Sequence, residues 1–285
     1  MQVDGAAQRD SEAAAGAEGW WASLSLGFRR YPARTVLAER RHRGPLAVQR
    51  TLYPEGEVCH ACLLHPPGGV AGGDTLEIGA RVEPGAAALV TTPGATKFYR
   101  SAGRPARQRQ RLRVNGGSLE WLPQENILFP GANAALETTV ELTGGARFIG
   151  WEIHCLGRPA NGERFLPGRA LFRFGLLRDG LPLLHDHLQV AGEGDLKAAA
   201  GLRGKPVFAT LCATPVAAAA MEGLRRQADT LEEPGLGVTR ADGLFIARYL
   251  GDSPARARHC FTRLWERLRP AVLDRVPCPP RIWNT

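Results

Sequence analysis

Lysine is almost absent: only Lys97, Lys197 and Lys205 occur among 285 residues. The net charge of +8 is therefore carried by arginine, which discounts bulk basicity as a nucleic-acid signal. No apolar run approaches the length that spans a membrane. The first nineteen residues lack the apolar core of a signal peptide and carry Asp and Glu, so a disordered tail is expected there, followed by a single domain over 20–285 in a soluble, cytoplasmic protein. Six cysteines, at 59, 62, 155, 212, 260 and 278, are too scattered for a secreted disulfide framework and read as reduced thiols. No G-x-S-x-G elbow, H-E-x-x-H pair or Walker A loop is present, which removes the usual hydrolase and NTPase signatures.

One segment comes close to a Walker A loop. In HPPGGVAGGDTLEI, Gly68 and Gly73 have its spacing and Thr75 its hydroxyl, but Asp74 stands where Lys belongs. A carboxylate beside phosphate is repulsive. Leu76, Ile78, Ala80 and Val82 then alternate with Glu77, Gly79, Arg81 and Glu83, so a strand follows rather than a phosphate-binding helix. The glycines make turns, and Asp74 is free to face a cation.

From Gly27 to Gly204 turn signals such as Pro84-Gly85, Asn115-Gly116-Gly117, Gly144-Gly145 and Asp179-Gly180 separate short strand-like stretches. Periodicity predicts an all-β body and leaves sandwich, barrel and β-solenoid open. Two helices are expected in the last third. One follows Thr214-Pro215, with Met221, Leu224, Ala228 and Leu231 on one face. The other opens at Ser253-Pro254, carries Phe261, Leu264, Trp265 and Leu268, and is stopped by Pro270.

Four groups of residues could carry chemistry. In RPARQRQRLRV, Arg107, Arg109, Arg111 and Arg113 alternate, so a strand shows all four on one face. That face is either a solvated exterior or a contact surface for an acidic partner. In CHAC, Cys59 and Cys62 point to opposite strand faces and cannot share a metal, whereas His60 and Cys62 lie on one face and are weak metal candidates. His185 and His187 flank Asp186 in HDH, and imidazole suits nickel, zinc or copper. Glu152 and His154 form another same-face pair in GWEIHCLGR, where a carboxylate among apolar neighbours requires a partner.

Five stretches, HPPGGVAGGDTLEI, TTPGATKFYRS, LEWLPQENILFPGA, GWEIHCLGRPANGERF and the terminal PRIWNT, closely resemble the UreD (or UreH) family of urease accessory proteins over about Trp20 to Thr285. The resemblance implies a non-catalytic scaffold of all-β, helically wound, solenoid-like form with two α-helices in its C-terminal third. It implies binding to the urease apoprotein and to UreF, which recruits the GTPase UreG. Nickel(II) is then transient cargo, with no tightly bound cofactor, moving through a water-filled passage. Carried onto this chain, the passage candidates are Asp74, Thr96, Lys97, Glu152 and Asp186. Two other readings stand beside it: a metalloenzyme using His185 and His187, and a nucleic-acid binder using the Arg107–Arg113 stripe. Against the second of these, no aromatics interleave the arginines, so neither nucleic acid nor membrane is expected as a partner.

Overall fold

The structure, a computed structural model, describes residues 19–101 and 103–284. Apart from Gly19, the tail expected over 1–19 lies outside the described residues. The strands are β1 (Trp21–Arg30), β2 (Thr35–Arg43), β3 (Ala47–Val48), β4 (Cys59–Leu64), β5 (Thr75–Val82), β6 (Ala87–Thr91), β7 (Thr96–Phe98), β8 (Ala106–Asn115), β9 (Ser118–Leu122), β10 (Asn126–Leu128), β11 (Asn133–Thr143), β12 (Arg147–Leu156), β13 (Arg169–Arg178), β14 (Leu181–Val190), β15 (Val207–Thr214), β16 (Leu236–Ala241) and β17 (Leu244–Gly251). The helices are α1 (Glu193–Lys197), α2 (Met221–Asp229) and α3 (Pro254–Leu273).

Two sheets stack. The outer sheet has seven strands in the order β14-β13-β11-β8-β5-β1-β2. The central sheet has ten, ordered β16-β17-β15-β12-β9-β6-β4-β3, with β10 and β7 added beside β12. From β4 to β13 the main strands alternate between sheets, so neighbours within a sheet are two crossings apart and run parallel. Hairpin partners such as β1–β2, β13–β14 and β16–β17 pair antiparallel at the edges.

The all-β, solenoid-like expectation is corrected. The protein is mixed α/β, with parallel and antiparallel pairing in both sheets and a helical layer on the central one. A solenoid stacks repeats that contact only their neighbours; here edge hairpins close the sheets and a second core lies under helices. The two longer helices do fall in the last third. The second core explains the misreading. Strand β6, AALVT, is buried at every position, and an apolar run of that kind does not say what covers each face.

Between the sheets pack Leu24, Phe28, Val82, Leu112 and Val140 from the outer layer and Cys59, Val90, Leu119 and Phe148 from the central one. On the other side of the central sheet, Leu89, Ile149, Trp151, Leu211 and Phe245 meet Phe261, Leu264, Trp265 and Leu268 of α3. Each fully buried side chain of this size contributes about 1.5–3 kcal/mol, so α3 is held by its stripe. Ser253 caps it, accepting from the Arg256 N–H at 3.3 Å.

Both helix boundaries differ from expectation. The first helix begins at Met221 rather than beside Pro215, because Val216 is buried and its N–H bonds Gly243 O at 2.7 Å. The second runs past Pro270 to Leu273, where Asp274 takes a left-handed conformation and caps the end by donating to Pro270 O.

Candidate functional site, a polar seam between the sheets

Strand β8 alternates without a fault: the arginines at 107, 109, 111 and 113 are exposed, and Ala106, Gln108, Gln110, Leu112 and Val114 are buried. Two glutamines therefore enter an otherwise apolar interior. Across the gap Glu152 and His154 of β12 face them, since Trp151, Ile153 and Cys155 of the same strand turn to the helices. Buried polar groups require partners, and Gln110, Glu152 and His154 find theirs within the seam. The Thr138 hydroxyl of β11 lies 2.5 Å from Glu152 Oε1 and 3.1 Å from Gln110 Oε1. The charged oxygen takes the proton, the stronger acceptor at the shorter distance. Asn126 Nδ2 lies 3.5 Å from His154 Nδ1, and His154 Nε2 lies 3.4 Å from Glu152 Oε2. With the amide donating to Nδ1, the ring proton sits on Nε2 toward Glu152. Phe172 and Phe208 hold the imidazole, with ring centroids 4.6 and 5.0 Å away.

Glu152 lines two hollows. The first, about 190 Å³, is bounded by Thr96, Lys97, Gln108, Gln110, Asn126, Trp121 and His65. The second, about 520 Å³, is bounded by His154, Asp186, His187, Thr210 and Arg248. Residues Glu152, Thr210 and Arg248 are register neighbours on β12, β15 and β17. At the far rim Asp186 of the outer sheet takes both guanidinium nitrogens of Arg248 in the central sheet, at 2.6 and 2.7 Å. The seam thus crosses the sandwich from Lys97 to Asp186. The indole N–H of Trp121 is the buried side-chain polar atom left without a partner among the described residues. A buried donor requires an acceptor, which suits a hollow that takes an oxygen-bearing guest such as water or a hydrated ion.

Of the passage candidates, Thr96, Lys97 and Glu152 meet at the first hollow and Asp186 stands at the second. Asp74 lines neither. Its Oδ1 accepts the Trp20 N–H and its Oδ2 the Ala71 N–H, both at 2.8 Å, so it ties a tight turn to the start of β1. Gly73 at φ +95° makes that turn possible. Asp74 reaches the seam only through its field. Burial lowers the His65 imidazole below its usual value, and the Asp74 charge partly offsets this.

The weaker metal candidates separate. His60 is buried, with Nε2 at 2.6 Å from Glu55 Oε1, and Glu55 also accepts from Arg269 at 2.6 Å. Burial pushes the Cys62 thiol up to about 11, away from a thiolate ligand. His185 and His187 are exposed on edge strand β14, while Asp186 turns inward. Among the described residues no three His, Cys, Asp or Glu side chains converge on a metal position. The arginine stripe covers the outer sheet, partly paired: Arg113 meets Glu141 at 3.0 Å and Arg109 lies 3.6 Å from Glu137.

Gln108, Gln110, Asn126, Thr138 and Arg248 were missed by sequence reasoning. Their signal was available for β8: glutamines alternating with arginines place amides on the face that must be buried.

A layered sheet protein with a polar seam of mutually bonded side chains defines a class that offers hollows and charged faces for binding. Its place within that class is specific. The chain belongs to the UreD family of urease accessory proteins, whose family model matches residues 21–284. It is 47% identical over 268 residues to urease accessory protein UreD of Pseudomonas putida (strain W619), covering 94% of this chain and 95% of the relative. The corresponding protein of Dechloromonas aromatica (strain RCB) is 49% identical over 276 residues, covering 93% and 95%. That of Alcanivorax borkumensis (strain ATCC 700651 / DSM 11573 / NCIMB 13689 / SK2) is 44% identical over 289 residues, covering 98% and 97%. The family consists of accessory proteins, so the chain serves an enzyme and is not one itself. No helix among the described residues is long and apolar enough to cross a membrane.

Proposed function

We propose that the chain is a cytoplasmic scaffold for nickel insertion, binding the urease apoprotein and UreF, and through UreF the GTPase UreG. Nickel(II) is its cargo and the seam its route. The observation that carries this reading is Glu152, which lines both hollows and so joins them at the middle of the sandwich. Transfer needs donors that are few and weak, because a full set of imidazoles and thiolates would hold the ion. The seam supplies amide and hydroxyl oxygens, the separate imidazoles of His65, His154 and His187, which do not converge with other ligands on one position, and one carboxylate outside any Arg or Lys ion pair. These replace part of the hydration shell without closing a cage. Purified chain mixed with UreF at micromolar concentration should elute as a complex in size-exclusion chromatography, and UreG should join it. Elution of separate species would sink the scaffold reading.

A further inference from the structure

The exposed face of the outer sheet is built in rows that run across the strands. One row reads Arg43, Ser23, Glu77, Arg109, Glu137, Arg173, and the next but one reads Glu39, Gly27, Arg81, Arg113, Glu141. In both rows every acid is paired with an arginine. Arg109 lies between Glu77 and Glu137, Arg173 meets Glu137 at 3.1 Å, Arg81 meets Glu39 at 2.8 Å, and Arg113 meets Glu141. The row between them is different. It reads Arg41, Ser25, Gly79, Arg111, Thr139, Gly175, His185. It holds no acid. Its middle is floored by small residues, and among the described residues neither Arg41 nor Arg111 has an ion-pair partner. The result is a groove of about 610 Å³ lined by Arg41, Arg81, Arg109, Arg111 and Arg113. Glu39 and Glu77 also border it, but Arg81 and Arg109 already occupy them.

We propose that this groove seats an extended acidic segment of a partner protein, with its carboxylates on Arg111 and Arg41. The chemistry selects that occupant. Guanidinium groups bind carboxylates through paired N–H donors. Arg41 and Arg111 are three strands apart, roughly 14 Å at the usual strand spacing. In an extended chain the residues i and i+4 share a face and lie about 13–14 Å apart, so acids at that spacing reach both cations. A nucleic acid fits poorly. The groove has no aromatic platform for bases, and the glutamates of the flanking rows repel a continuous polyanion. The inference is independent of which protein supplies the segment.

The test uses the full chain at physiological salt, about 0.15 M, where loose surface attraction is screened. The probe is a fluorescent nine-residue Ser/Thr peptide with Glu at its third and seventh positions, compared with its Gln counterpart and a single-stranded oligonucleotide. The Glu peptide is expected to bind and the Gln peptide to bind at least about tenfold more weakly. Arg41→Glu with Arg111→Glu should abolish the difference, while Arg225→Glu on α2, exposed and distant from the groove, leaves affinity within about twofold. Gly79→Leu keeps the charge and fills the floor; a Cβ there meets nothing closer than 3.7 Å, so the fold accepts it. It should weaken the Glu peptide about tenfold. Equal loss with Arg225→Glu, unchanged binding to Gly79→Leu, or tighter binding of the oligonucleotide than of the peptide each overturns the proposal.

Discussion

At the scale of single residues, the carboxylates divide by what they already hold. Asp74 spends both oxygens on backbone N–H groups. Replacing it with Ala returns two exposed backbone N–H groups to water, at a cost of about 0.5–1.5 kcal/mol for each bond lost. For a chain of this size that lowers Tm by roughly 2–4 °C per kcal/mol. Asp74→Asn retains one acceptor oxygen and should fall between; a melt of Asp74→Ala matching the parent would remove the turn-tying role. Glu120 is the opposite kind of acid. It is buried under α3, accepts from Trp265 Nε1 at 2.6 Å, and lies 3.0 Å from both Nε and Nη2 of Arg269, itself fully buried. Burial raises the Glu120 carboxyl above its usual value, against the pull of Arg269 and Trp265. Arg269→Met strips out the compensating cation and should cost about 3–5 kcal/mol. The sign with pH follows from linkage. A raised folded pKa means the folded state binds more protons than the unfolded one, so stability falls as pH rises above the unfolded value. The Arg269→Met protein should therefore melt at higher temperature at mildly acidic pH than at neutral pH, and adding Glu120→Gln should recover much of the loss. A variant whose Tm instead rose with pH would contradict this account.

At the scale of elements, the sequence carried most where local chemistry decides. The alternation of β8 and the Phe261–Leu268 stripe of α3 were both legible, because side-chain period answers directly to one buried face. Turns at Gly85, Gly116, Gly144 and Gly180 were legible too, since each adopts positive φ. Strand partners were not. Residue Gln110 pairs with Ile78 and Thr138, and nothing within either strand names its neighbour, because each chain crossing visits the other sheet first. The seam was half legible for the same reason. Thr96 and Lys97 came from family resemblance and Glu152 also from its same-face pairing with His154, whereas Thr138 is an ordinary strand threonine until β12 is laid over it. The terminal segment offers a test at this scale. Trp283 donates to Thr91 Oγ1 at 2.9 Å and packs against Trp151 and Trp265, with ring centroids at 5.6 and 5.8 Å. It pins the chain end across the helix–sheet core. Trp283→Ala should cost about 2–3 kcal/mol, below the range for a wholly buried tryptophan because Trp283 is only partly covered. Denaturant titration reads this as a lower midpoint at unchanged slope, and no shift would show that the segment merely rests on the surface.

At the scale of the whole molecule, the two sheets have different tasks because their faces have different neighbours. The central sheet is covered on both sides and fixes the interior; the outer sheet is covered on one and shows charge on the other. The seam lies where the layers meet, and its electrostatics single out one residue. Asp186 is already paired to Arg248, and Lys97 adds a positive charge at the opposite end. Among the described residues lining the two hollows, Glu152 is the carboxylate outside any Arg or Lys ion pair. On the proposed route a dication crossing between the hollows passes Glu152, whose charge would lower the cost of leaving water there. Glu152→Gln keeps an oxygen for Thr138 while removing the charge, so the fold should melt within a few degrees of the parent and association with UreF should be unaltered. Urease matured with this variant should contain less nickel, by about tenfold if the seam is the main route, a change equivalent to about 1.4 kcal/mol at the crossing. The nickel content of purified urease, measured beside the size-exclusion profile of the accessory complex, separates the two roles. Full nickel content with intact complexes would leave the scaffold standing and exclude Glu152 from the route, whereas loss of the complex itself would mean that Glu152 shapes the sandwich rather than conducts through it.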